Sequence, residues 1–331
     1  MKTKTLYATL LLLVIYSCNT DSNLQYPEPM PDLTLNNLVS INSNIPQDFY
    51  NDLTFTNEQT GYAVSRTGKI IKTADGGATW TSLNSTVNFH LKEIQFVSAN
   101  VGYVIGGDNS GSFLLKTINA GQSWSVINLN TIEKGSPAGM FFKNENEGYI
   151  NGNKFFIKTT NGGLTWNNVL NNTTEIFNEV KFRDFNFGIA TTNKSNYYRT
   201  TNGGTSWQSV DLINNTNLLQ SYFLYSKTYI KSGNKLVDID GGPSITLPNP
   251  VSKLQFLDAT KCIGIGQHYE TGLLPYGDIL VTNTSWNTFL QKTYQPSSEV
   301  MDFTAIAFMS NHKLMIIGTG QINTKVILFT F

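Results

Sequence analysis

The chain has 331 residues, with 23 basic and 23 acidic side chains, so its formal net charge is zero. Only three of the basic residues are arginines (Arg66, Arg183 and Arg199) and no basic stripe runs along the sequence, which disfavours a nucleic-acid partner. Two cysteines cannot build a disulfide framework, and the three histidines (His90, His268 and His312) lack metal-ligand spacing, so neither a metal nor another cofactor is expected.

The N-terminus opens with the short basic start Met1-Lys2-Thr3-Lys4, followed by an apolar run from Leu6 to Ile15. That run has the length of a secretory h-region and is too short to span a bilayer as a helix. It ends in Ile15-Tyr16-Ser17-Cys18, which resembles a bacterial lipobox. The resemblance implies a signal peptide over residues 1–17, lipidation of Cys18, and an exported lipoprotein of the cell envelope, with the outer membrane as its expected destination. Residues 18–32, with Pro27, Pro29 and Pro31, read as an extended tether. Membrane contact is expected through the lipid anchor only. The other cysteine, Cys262, sits in an apolar stretch and reads as a small buried hydrophobe.

From residue 73 onward one signature recurs. Its cleanest copy is Thr73-Ala74-Asp75-Gly76-Gly77-Ala78-Thr79-Trp80. Copies ending at Trp124, Trp166 and Trp207 carry Asn119, Asn161 and Asn202 in place of the Asp, and the spacings between successive Trp residues are 44, 42 and 41. A fifth copy keeps Asp240-Gly241-Gly242 and puts Ile245 where Trp stood; a sixth, decayed copy ends at Trp286. A period of roughly 40–45 residues is that of a four-stranded propeller blade. Within the first repeat, Leu53–Phe55, Tyr62–Val64, Lys69–Lys72 and Trp80–Leu83 read as short strands joined by hairpins, and no helical period interrupts them. The signature itself reads as a structural staple. Its glycines take positive φ, its Asp or Asn accepts turn NH groups, and its Trp fills the layer between sheets.

Three strands follow the last signature: Thr304–Phe308, Lys313–Ile317 and Lys325–Phe329. The fourth is missing there and spare at the start, where Leu38–Asn42 has the cadence of Trp124–Asn128. The expectation is an all-β, seven-bladed propeller over residues 33–331. Its blades are four-stranded and antiparallel, and the last is closed by the N-terminal strand.

The signature Ser/Thr-x-Asp-x-Gly-x-Thr-Trp resembles the Asp-box, or BNR repeat. Together with Gly61-Tyr62, Gly102-Tyr103, Gly148-Tyr149 and then Lys-Thr before the box, it is similar to propellers related to the photosystem II assembly factor. The resemblance implies that the boxes lie on one face and that ligands meet the other. It does not fix the activity, because Asp-boxes also occur in sialidases, xyloglucan hydrolases and sorting receptors. A sialidase is disfavoured: there is no Arg-Ile-Pro, and the three arginines share no level.

Aligning the first strands on their Phe puts Asp52, Glu93, Gly139, Glu179, Gln220, Lys253 and Ala305 at one level, near the channel mouth. If the protein is a polysaccharide-acting glycoside hydrolase, Asp52, Glu93 and Glu179 are the candidate acids. The longest connection between second and third strands reads as Gln267 to Asp278. It makes His268, Tyr269, Glu270, Tyr276 and Asp278 candidate ligand contacts, beside Arg66, Asp108 and Lys253. The favoured expectation is a monomeric, non-catalytic binding or assembly propeller whose partner is a protein or a glycan.

Overall fold

The computed structural model describes residues 32–331, apart from 109–110, 130–135, 171–173, 213–216, 225–226, 249–250, 259, 269–275, 285–287, 295–301 and 321–322. Cys18, Tyr269, Glu270 and Trp286 therefore lie outside the described residues. The strands form seven four-stranded antiparallel sheets, each a meander. Their first, innermost strands are Tyr50–Phe55, His90–Phe96, Pro137–Phe142, Phe177–Phe182, Leu218–Leu224, Val251–Phe256 and Asp302–Ser310. These define blades one to seven. The seventh blade takes its fourth strand from Leu38–Ile41, which pairs antiparallel with Thr324–Thr330 in the register Leu38↔Phe329 to Ile41↔Val326. The expected closure is thus found, and it leaves no open edge at the seam.

The core is divided rather than central. Seven clusters of buried side chains fill the seven interfaces between neighbouring blades. Three of these interfaces share one aromatic arrangement, and it explains the Gly-Tyr signature. Tyr62 of blade one stacks on Phe96 of blade two at 4.1 Å, and Trp124 meets the same ring edge-on. Tyr103, Phe142 and Trp166 repeat this at the next interface, and Tyr149, Phe182 and Trp207 at the one after. The Phe ring also lies flat on the glycine that precedes its own blade's Tyr. A Cβ on Gly102 would stand 2.7 Å from the Phe96 ring, and one on Gly148 would stand 2.3 Å from Phe142. Glycine is required there by contact, not by φ.

The boxes fold as expected. The Thr73 hydroxyl accepts the Gly77 NH at 2.8 Å and donates to Asp75, whose carboxylate accepts the Thr79 NH and hydroxyl at 2.8 and 2.6 Å. In the Asn copies the last bond reverses: Asn119 Nδ2 donates to the Ser123 hydroxyl at 2.9 Å. A hydroxyl can do either, which is why Asp and Asn interchange. Asn161 and Asn202 make the same bonds. The Trp80 and Trp166 indole NH groups donate to the Gly77 and Gly163 carbonyls. In the fifth copy Asp240 turns instead to the Thr228 NH. The sixth copy corrects the alignment. Thr284 bonds the Thr288 NH and hydroxyl just as Asp75 bonds Thr79. Phe289, not Trp286, therefore stands in the register of Trp80, and it packs against the interface between blades five and six.

Two outcomes are expected. Removing residues 322–331 takes away the strand that Leu38–Ile41 pairs with and opens the ring, so cooperative thermal unfolding should be lost by calorimetry. Gly102→Ala should destabilise by about 1–3 kcal/mol through overpacking against Phe96, read as a lower denaturation midpoint with unchanged slope.

Candidate binding face and channel mouth

All seven first strands carry a β-bulge at the level picked out by sequence, for example between Tyr50 and Asp52 and between Leu91 and Glu93. A bulge breaks the ladder and turns backbone groups sideways, toward the preceding blade. Those groups are met by a pair of consecutive side chains. Asn51 donates to the Leu91 carbonyl at 2.7 Å while Asp52 accepts the Ile94 NH at 3.0 Å. Lys92 and Glu93 do the same to Pro137 and Met140, at 3.2 and 2.8 Å. Asn178 and Glu179 do so to Leu218 and Ser221, at 2.8 and 2.6 Å, with the Ser221 hydroxyl added at 2.7 Å. In each case a donor followed by a carboxylate grips a carbonyl and an NH three residues apart on the next blade.

This recasts the candidate acids. Asp52, Glu93 and Glu179 do share a level, and each gives one carboxylate oxygen to the backbone of the neighbouring blade. Lys253 spans the seventh blade, whose Ala305 is small, and reaches the Asn51 carbonyl at 2.9 Å and Asp52 at 3.6 Å. Thr304 donates to the Tyr50 carbonyl across the same seam. Gly139 supplies no such link, and Gln220 sits inside its bulge so that Ser221 pairs in its place. Burial raises the Asp52 carboxyl above its usual range, against the opposing pull of Lys253. Burial, helped by Asp52, pushes Glu93 up to about 8.

Above this level lies the face opposite the boxes. Arg66, in the turn between the second and third strands of blade one, is exposed. Its Nε donates to Asn51 Oδ1 at 3.3 Å, and its guanidinium lies 5.3 Å from the ring centre of Phe49, itself well exposed. Asn51 also bonds His90 Nε2 at 2.7 Å. Burial, then the charges of Arg66 and Lys92, lower the His90 pKa. No carboxylate of the described residues pairs directly with Arg66. Asp302, raised by burial, feels both Arg66 and Lys253.

The long connection in blade six is shorter than its sequence suggests. The second and third strands run up to His268 and start again at Tyr276, which face each other across the ladder. Asp278 is a fully buried strand residue that accepts the Thr293 hydroxyl at 2.6 Å, so it is not a loop contact. Asp108 ends a strand on this same face in blade two and is exposed. Sequence reasoning missed Phe49 and Asn51. The repeated pairs Asn51-Asp52, Lys92-Glu93 and Asn178-Glu179 were its available signal. Among the described residues, no group of three His, Cys, Asp or Glu side chains could hold a metal ion.

A family model described as photosynthesis system II assembly factor YCF48 matches residues 34–211. No curated protein matches the sequence significantly. Among solved structures, YCF48 bound to D1 peptide superposes with a TM-score of 0.70 at 18% identity, covering 92% of this chain and 100% of that one. YCF48 from Cyanidioschyzon merolae gives 0.67 at 15%, covering 88% and 98%. The GH74 enzyme of Niastella koreensis gives 0.65 at 14%, covering 82% of this chain and 52% of its own. At these identities the likeness is one of fold.

The Glu93 carboxyl holds its proton in the folded protein up to about pH 8, whereas the unfolded chain releases it near 4.5. Folding therefore binds a proton between those values, and stability falls as pH rises through that window. Glu93→Gln keeps an acceptor for the Met140 NH and removes the titration. It should match the parent near pH 4.5 and exceed it by on the order of 1–3 kcal/mol at pH 8.5 in denaturant titrations.

Proposed function

We propose that this chain, which belongs to the photosynthesis system II assembly factor YCF48 family, is a non-catalytic propeller that binds a protein partner on the face opposite its boxes. The observation that carries the reading is the state of the channel carboxylates. Asp52, Glu93 and Glu179 are each bonded to the backbone of the next blade, and a hydrolase would need two of them turned toward a substrate. The rim above them offers recognition chemistry instead. Arg66 presents a guanidinium held by Asn51 beside the exposed ring of Phe49, a pairing suited to a peptide with a carboxylate and an apolar side chain. A YCF48 solved with a D1 peptide supports a peptide as the kind of ligand such a propeller takes.

The lipobox-like Ile15–Cys18 adds a location. With Cys18 lipidated, the disc is a membrane-anchored platform in the cell envelope, which acts by holding its partner near the bilayer.

A photo-crosslinking phenylalanine analogue at Phe49, expressed in the source cell, should yield one discrete protein adduct. Arg66→Ala should reduce that adduct about tenfold, the effect of losing one charge-assisted contact. No adduct from this face, or an adduct indifferent to Arg66, would sink the reading. Release of reducing sugar from a polysaccharide, lost in Glu93→Gln, would replace it with the hydrolase.

A further inference from the structure

The box face carries an apolar feature that packing between the blades does not bury. Of the described residues, the three most exposed large hydrophobics are Leu164, at 80%, and Ile118 and Phe185, both at 69%. Ile118 and Leu164 stand on the box turns of blades two and three. Phe185 stands on the first turn of blade four, which shares that face because the Gly203 NH of the fourth box donates to the Asn186 carbonyl. Three successive blades therefore present one exposed apolar side chain each on the same face.

The chain also arrives on this face. Leu33 exchanges two hydrogen bonds with Asn283 of the sixth box, its NH donating at 2.6 Å and its carbonyl accepting at 2.8 Å. Asp32 lies 3.7 Å from Lys261, in the neighbouring turn of the same blade. Residues 19–31 precede this point. Even fully extended, they place Cys18 within about 50 Å of the box face.

We infer that the box face rests on the lipid surface that holds the N-terminal anchor, with Ile118, Leu164 and Phe185 dipping into its interfacial layer. The inference rests on the anchor reading of Cys18. Three apolar side chains are too few to bind a bilayer from solution, but a tether raises their effective concentration there, so a weak contact suffices to set orientation. The disc then lies flat, and the face bearing Arg66 points away from the membrane.

The test uses the full chain with Cys262→Ala, lipidated in vivo and reconstituted into phosphatidylcholine vesicles. An environment-sensitive fluorophore is placed at Leu164→Cys, or, on the opposite face, at Asn234→Cys. Flotation with the vesicles reports the anchor; quenching by lipids spin-labelled near the headgroup reports the face. The expected result is a blue shift and strong quenching at position 164 and neither at 234. Adding Ile118→Ser and Phe185→Ser should lower the quenching at least ~threefold. Equal quenching at both positions, or quenching at 234 alone, overturns the inference. Should the chain fail to float, the anchor reading fails by itself. The same fluorophores, introduced genetically into a chain coupled at Cys18 to a maleimide lipid, then decide the face.

Discussion

From blade one to blade four the molecule depends on one repeated contact: the grip of a blade on the box of the next. Tyr62 donates its hydroxyl to the Ala120 carbonyl at 3.0 Å, and Lys72 donates to the same carbonyl at 3.2 Å. Lys116 reaches the Gly162 carbonyl, and Tyr149 and Lys143 reach that of Gly203. In blade one the Lys-Thr and Gly-Tyr signatures are thus two halves of one device, whereas in blade three Lys143 takes the lysine's part and Lys158 pairs with Glu147. Their target is the turn whose shape the box fixes. A single blade would be a small sheet with two apolar faces and no core, so its stability is borrowed from its neighbours. The closing strand matters for the same reason: without it the seventh blade would be incomplete at the seam.

A second ring of contacts, at the channel, works on the same plan. Bulges turn backbone groups outward, and paired side chains from the preceding blade satisfy them. Carboxylates gathered at the mouth of a channel are readily read as chemistry, and here each also links its blade to the next. The raised affinity of Asp52 and Glu93 for protons follows from the same burial that makes them useful as links, and it is a cost that the backbone bonds offset. Above them, Arg66 and Phe49 stand exposed on the face opposite the boxes.

The blade count, the closing strand and the box face were all legible in the sequence, because each follows from spacing, and spacing survives the loss of individual residues. Identity was less dependable. Trp286 drew the sixth box three residues out of register, whereas the hydroxyls Thr282, Thr284 and Thr288 keep the turn and bring Phe289 into place. The roles of Asp52, Glu93 and Glu179 were not legible, since they depend on which backbone groups a bulge in another strand leaves open. Asp278 was misplaced because a hairpin ladder can extend well past the hydrophobic alternation that announces it.

The reciprocal bonds between Leu33 and Asn283 have a mechanical meaning. A pull on the N-terminal chain away from the box face runs along the axis of Leu38–Ile41, so the ladder to Thr324–Thr330 would be loaded in shear, its four pairs together. Leu33 and Asn283 stand ahead of that ladder and take the load first. A disc moored by its own closing strand would otherwise be unfastened by its mooring; this geometry lets the ring bear tension at the one seam where it could be unzipped.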